Sequence, residues 1–194
     1  NISLKYNTQK SKSLFEIAIF KFNKKKYKEA VQLLEKAIEE IIIEEKDYYC
    51  KSEQCMELSN FDAARKYLKK GINAKKIHSK ILVKLFQTKK LLLLKQNEEN
   101  QLKKAIELDS ENPESYFELG MLYSKEKKWE EAKRNFWLTC NNDWSHTEAH
   151  FNLGQILIKN KELKSAIMHL QIVLDLNKSH KMADKLLKKC LSVN

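Results

Sequence analysis

A period of 34 residues constrains the fold of this chain more than any other feature of its sequence. The segments GMLYSKEKKWEEAKRNF and GQILIKNKELKSAIMHL begin at Gly120 and Gly154, which are 34 positions apart. The same step connects a column of alanines that is interrupted at one position: Ala30, Ala64, Glu98, Ala132 and Ala166. A fixed internal period of roughly 20 to 50 residues is typical of arrays of small supersecondary units. We therefore expect a repeat protein.

The period divides the 194 residues into an N-terminal extension, five repeats and a C-terminal segment. The expected parts are 1–10, then the repeats 11–44, 45–78, 79–112, 113–146 and 147–180, then 181–194. The twenty-fourth position of every repeat is large and apolar: Leu34, Leu68, Leu102, Phe136 and Leu170. The eighth position is small in four of the five: Ala18, Ser52, Phe86, Gly120 and Gly154. Small and large residues at fixed places are typical of paired helices that approach closely.

Composition favours helices throughout. The chain has three Gly and one Pro, too few for the tight turns of a β-sandwich, a barrel or a dinucleotide-binding fold. Asn112 before Pro113 predicts a capped helix start, and Ser145 with Glu148 predicts a capping box for the next helix. In residues 181–194, Ala183, Leu186, Leu187, Cys190 and Leu191 form one apolar stripe, while Lys181, Lys185, Lys188 and Lys189 form the opposite face. That pattern predicts a capping helix over the last repeat.

The repeats resemble the tetratricopeptide repeat (TPR) family. The fourth repeat has the family's pattern of bulky, Leu-Gly, aromatic, Ala and large apolar residues at Tyr116, Leu119, Gly120, Tyr123, Trp129, Ala132 and Phe136. The fifth has it at His150, Leu153, Gly154, Leu157, Leu163, Ala166 and Leu170. The third matches poorly, with Phe86, Lys89, Lys95 and Glu98 at key positions, and its stretch LLLLKQNEEN indicates a continuous helix or an insertion missing near Gln96 and Asn97. The resemblance implies an all-α solenoid of five helix-turn-helix repeats plus the cap, wound as a right-handed superhelix.

The resemblance also implies that the first helix of each repeat lines an inner groove. By helical spacing, the apolar residues on that face are Phe15, Ile19, Phe22, Tyr49, Met56, Val83, Phe117, Met121, Phe151 and Ile158. The fifth position of each repeat is aromatic in four of the five. A row of aromatics on such a surface favours a binding patch for a peptide or helix with apolar anchors, aided by Lys at the rims. Packing against a neighbouring repeat is the alternative reading of the same row.

Two other partner classes are weighed by the charges. Family members that grip heat-shock chaperone tails use a carboxylate clamp of Lys, Asn and Arg, and no frame of these repeats supplies it, with Lys80 and Lys84 as the one suitable pair. The formal charge of +11 allows a nucleic-acid partner as the alternative function. Against it, only Arg65 and Arg134 are arginines among 37 basic residues, and arginine is the preferred residue for phosphate and base contacts.

An enzyme is not predicted. His146, Glu148 and His150 form H-x-E-x-H rather than the H-E-x-x-H of metalloproteases, and we expect packing and surface roles for both histidines. No Gly-rich loop is present to hold a phosphate, so no cofactor or metal is expected. The four cysteines lack a C-x-x-C motif, which favours free thiols in a reducing compartment.

The same features place the protein inside the cell, in the cytoplasm, with nucleus and cilium as alternatives. No stretch approaches the roughly 18 apolar residues of a membrane span. The chain begins at Asn1 rather than Met, which indicates a fragment of a larger scaffold or assembly subunit.

Overall fold

Helices account for almost all of the chain in the computed structural model, which describes residues 10–92 and 98–192. The described residues form nine helices: α1 (Lys10–Asn23), α2 (Tyr27–Glu57), α3 (Phe61–Leu91), α4 (Glu98–Leu108), α5 (Pro113–Lys125), α6 (Trp129–Asn142), α7 (Thr147–Lys159), α8 (Leu163–Leu176) and α9 (Lys181–Leu191). They divide between two compact units, Asn1–Ser110 and Glu111–Asn194. Residues 1–9 of the expected extension and the suspected insertion near Gln96 and Asn97 lie outside the described residues.

In the first unit, α2 and α3 form one long antiparallel hairpin. Each helix has 31 residues. At one end Lys89 Nζ lies 2.9 Å from Glu35 Oε1, and further along Lys75 Nζ lies 5.1 Å from the centre of the Tyr49 ring. Both pairs of residue numbers add to 124, so the two helices keep a single register over this length.

These long helices pass through two of the expected repeat boundaries. The junctions at 44/45 and 78/79 lie inside α2 and α3, so the turns expected between the first three repeats do not form. Five two-helix repeats and a cap would give eleven helices, and the two fusions leave nine in the described part of the chain. The physical reason is local: neither junction carries a Pro, Gly or Asn that would end a helix, whereas later junctions carry Asn112, Pro113 and Asn177.

The core of the first unit lies where α1 and α3 pack on the first half of α2. Ala18, Leu34, Ala37, Ile41 and Ile81 are fully buried there. Residues of the second half of α2, including Tyr48, extend the same cluster. Because α3 runs back along α2, helix segments assigned by sequence to the first and third repeats share one core.

The second unit keeps the helix-turn-helix pattern through α5, α6, α7, α8 and the final α9. The Asn112 side chain accepts a hydrogen bond from Glu114 N at 3.2 Å, and Pro113 opens α5, which confirms the predicted start. The predicted capping box of Ser145 and Glu148 is wrong. His146 caps α7 instead, since its Nδ1 accepts from Ala149 N at 3.2 Å, while Ser145 Oγ donates to Asp143.

The turn inside each repeat also recurs with the 34-residue period. Lys25, Ser59, Lys127 and Lys161 all have left-handed backbone with φ between 55° and 62°. In each case the next amide donates to the carbonyl five residues earlier, for example Lys128 N to Tyr123 O at 2.9 Å. This is the Schellman helix end, in which glycine is the usual left-handed residue. The equivalent position in the third repeat, Leu93, lies outside the described residues.

Helix α9 covers the last repeat largely as predicted. Ala183, Leu187 and Cys190 are buried in a cluster with Leu170 and Val173 of α8. Leu186 packs at the edge of that cluster, and the four lysines of the opposite face are exposed. Leu191 was expected in the stripe but is exposed, because it is the last residue of the helix. Within residues 10–92 and 98–192, no helix has the length and apolar character that crossing a membrane requires.

Candidate functional site

The predicted groove residues of the first unit lie on α1 and on the second halves of α2 and α3. Phe15 packs against the core of the unit, and Val83 is 4% exposed. Phe22 lies 5.5 Å from the Tyr27 ring, centre to centre, and Lys84 Nζ sits 3.6 Å above its own ring. These side chains therefore pack within the hairpin arrangement and do not form an open row. The physical reason is the fusion of helices, which brings α3 back beside α1.

The other groove residues of the first unit differ in accessibility. Tyr49 and Ile19 are half-buried, and Tyr49 lies against Gly71, where an added Cβ would meet its ring carbon Cζ at 3.3 Å. Met56 is 52% exposed near the end of α2. One fully accessible apolar side chain does not make a groove, so the first unit is the weaker candidate.

In the second unit, the two predicted groove aromatics each stack on a histidine from the following repeat junction. Phe117 lies 4.5 Å from the His146 ring, and Phe151 lies 4.6 Å from the His180 ring. The two pairs are one repeat apart. Phe117 is also 5.9 Å from Phe136 and is buried, whereas Phe151 is half-buried. These contacts fasten each first helix to the start of the next one.

Each of these histidines has a second task at the helix start. His180 Nδ1 accepts from Ala183 N at 3.1 Å, as His146 does from Ala149 N. The Glu114 carboxylate, 3.8 Å from His146 Nε2, raises the pKa of that imidazole above its usual value. The structure thus joins α5 to α7 by a ring stack and a charge contact, and α7 to α9 by the matching stack.

The partly accessible apolar side chains of this inner face are Met121 on α5, Phe151 and Ile158 on α7, and Met182 on α9. Met182 is 55% exposed, and the other three are half-buried. Lys125 and Lys159 are exposed at the C-terminal ends of α5 and α7. We call these four apolar residues the inner row.

A buried histidine pair lies elsewhere in the same unit, and sequence reasoning found only half of it. His150 Nδ1 is 2.8 Å from His169 Nδ1, and His150 Nε2 is 3.1 Å from the Trp144 carbonyl. A carbonyl can only accept, so His150 donates from Nε2 and accepts from His169 through Nδ1. Burial lowers the pKa of both imidazoles, that of His169 to about 4.

His150, placed by sequence in a packing position, is 1% exposed, which confirms that reading. His146 and His150 bind different partners, and no cluster of three metal-binding side chains occurs among the described residues. Burial also raises the pKa of the Cys140 thiol to about 12, so that thiol is not a thiolate near neutral pH.

Sequence reasoning missed a pocket on the other side of the second unit. It has a volume of about 410 Å³ and lies between α6 and α8, with α7 beneath. Trp137 and Met168 stand on its two walls, 51% and 54% exposed, and Leu153 and Leu157 line it from α7. The signal available in the sequence was a Trp and a Met on second helices, at positions where the repeat pattern requires no large apolar residue.

Comparison with known proteins identifies the class. Tetratricopeptide repeat family models match residues 11–40, 102–134 and 147–180. The chain belongs to the tetratricopeptide repeat family, and its all-α repeat fold is that of the family. No curated protein matches the chain.

Solved structures share the fold at low sequence identity. YrrB, a TPR protein with an unusual peptide-binding site, is 19% identical with a TM-score of 0.51, and the match covers 96% of each chain. Pseudomonas aeruginosa pilF is 13% identical with a TM-score of 0.58, covering 96% of this chain and 85% of its own. The first TPR of Spaghetti (RPAP3), bound to the HSP90 peptide SRMEEVD, is 19% identical with a TM-score of 0.53, covering 59% of this chain and 91% of its own.

Proposed function

We propose that this chain is a non-catalytic scaffold that binds a segment of a partner protein along the inner row of its second unit. The observation that carries the proposal is the inner row itself, in which apolar side chains of α5, α7 and α9 remain partly accessible on three helices joined through their histidine-capped junctions. Apolar anchors on a preformed surface are the usual basis of helix and peptide recognition. The peptide-binding TPR neighbours support a partner of this class.

The partner segment has apolar side chains that meet the inner row and acidic residues near its end. Lys125 and Lys159 supply positive charge where α5 and α7 finish. Lys159 Nζ also lies 3.7 Å above the Trp129 ring, which fixes its position. The carboxylate clamp for chaperone tails is missing from the sequence, so affinity comes from the apolar anchors rather than from a terminal carboxylate.

The test uses a phage-displayed library of random peptides selected on the full chain. Peptides recovered from the selection are then measured by fluorescence anisotropy against a Met121→Ser, Ile158→Thr double variant. We expect binding to weaken about tenfold or more, since two anchors lose most of their contact area. Leu191→Ser is the matched control, because Leu191 is an exposed apolar residue outside the inner row.

Circular dichroism of the double variant checks that the fold is kept. The proposal fails if a folded double variant binds all selected peptides as tightly as the parent chain does. Phe117 is unsuitable for this test because it is buried, and its replacement would disturb the fold rather than the surface.

A further inference from the structure

The pocket between α6 and α8 is separate from the inner row, and its chemistry is specific. Its apolar part consists of Trp137, Met168, Leu153 and Leu157. The first two are on opposite walls and about half exposed, although both are side chains that a soluble surface usually covers. A bulky apolar group between them would be shielded from water on both sides.

The charges around the pocket leave one cation without a partner. Lys133 is ion-paired with Glu162, and Asn160 Nδ2 donates to Glu130 Oε1 at 3.0 Å. Arg134, by contrast, makes no hydrogen bond or ion pair with any described residue, and it lines the pocket beside Trp137. His169 also lines the pocket, and because burial lowers its pKa to about 4 it adds no positive charge near neutral pH.

We infer that this pocket is a second binding site, which takes an acidic peptide segment carrying a bulky apolar side chain next to an Asp or Glu. The apolar side chain lies between Trp137 and Met168. The neighbouring carboxylate accepts hydrogen bonds from the Arg134 guanidinium, whose planar donors suit a carboxylate better than a lysine does. Charge complementarity selects this occupant, because the other charged groups of the rim already satisfy one another.

Two single variants of the full chain separate this site from the inner row. The probe is the same displayed library of random peptides, selected now on the parent chain in the presence of excess Met121→Ser, Ile158→Thr peptide binders. Recovered peptides are tested against Arg134→Gln and Trp137→Ser by fluorescence anisotropy. We expect each variant to weaken binding about tenfold, and Arg134→Gln to remove the preference for an acidic residue beside the apolar one.

Lys164→Gln is the control, since Lys164 is exposed on α8 but does not line this pocket. Trp137 is half exposed, so its replacement should leave helix content unchanged, and circular dichroism checks this. The inference is overturned if no peptide is recovered, if the recovered peptides carry no acidic residue, or if Arg134→Gln binds them as tightly as Lys164→Gln. Failure of the inner row leaves these outcomes unaffected, because the two sites share no residue.

Discussion

Gly120 lies directly against the ring of Phe136, so that a Cβ on Gly120 would be 2.9 Å from two of the ring carbons. The equivalent pair one repeat later is looser, with 3.3 Å between a Cβ on Gly154 and Leu170. Both pairs join the small eighth position of a repeat to its large twenty-fourth position. The spacing in the sequence predicted close helix contact at these places, and the structure shows which side chain each glycine accommodates.

We expect Gly120→Ala to destabilise the second unit by about 1–2 kcal/mol. Overpacking against a fixed aromatic ring costs more than the helix propensity gained from alanine. Gly154→Ala is the matched control, because Leu170 can shift and the propensity gain offsets the contact. All three tryptophans lie between residues 129 and 144, so urea unfolding followed by tryptophan fluorescence reports on this unit. Equal unfolding midpoints for the two variants would contradict the expected difference.

Replacing a left-handed lysine with glycine should stabilise the protein. Lys127 and Lys161 have φ near 60°, where a side chain costs roughly 1–2 kcal/mol and glycine does not. Part of the gain is lost to the greater freedom of glycine in the unfolded chain, so we expect about 0.5–1 kcal/mol for Lys127→Gly. Lys125→Gly, inside the last turn of α5, should lower stability instead. The free energies of unfolding in urea check both signs.

The His150–His169 pair predicts acid sensitivity of the second unit. Both pKa values are lowered by burial, so the unfolded chain binds protons that the folded chain refuses, and stability falls as the pH falls from 6.5 toward about 4. We expect a loss on the order of 1 kcal/mol over this window. His169→Gln, which keeps a neutral donor toward His150, should flatten the dependence, as measured by urea unfolding at a series of pH values.

His146 should have the opposite pH dependence. Its pKa is raised by Glu114, so its contribution is present in full below pH 6.5 and is lost as the pH rises through the folded-state pKa. His146→Gln should therefore reduce stability more at pH 6 than at pH 8. A uniform loss at both pH values would indicate that only the helix cap and the stack on Phe117 matter.

A proline at the second repeat junction tests the continuous helix. Lys46 is exposed in the middle of α2, and Lys46→Pro should cost about 3 kcal/mol or more because it removes a helical hydrogen bond. Thr147→Pro, at the first position of α7, should be tolerated as Pro113 is at the start of α5. If Lys46→Pro is equally tolerated in thermal unfolding followed by circular dichroism, α2 has a break there.

The sequence predicted what depends on contacts within one repeat and missed what depends on the neighbours. The Gly120 and Gly154 contacts, the Asn112 cap and the buried face of α9 follow from spacing along single helices. The fusion of repeats was missed because Ala30 and Ala64 fit the period whether or not a turn intervenes. Its signal was the lack of helix-ending residues around Glu45 and Ser79.

The candidate site was predictable only in part for the same reason. Helical spacing placed Phe117 and Phe151 on one face, but it could not show that His146 and His180 lie over them. The pocket beside Trp137 was missed because the family pattern directs attention to first helices. Side chains on second helices carry no position requirement, so their exposure can be read only from the structure.

The uninterrupted helices α2 and α3 have a consequence for how the protein comes apart. In α5 through α9, each repeat can open without breaking the helices of the next, so hydrogen exchange should show graded protection from one repeat to another. The first unit has no such freedom, because α2 and α3 each carry parts of two repeats and Glu35 meets Lys89 across the whole hairpin. Its amides should exchange together, in a single cooperative opening.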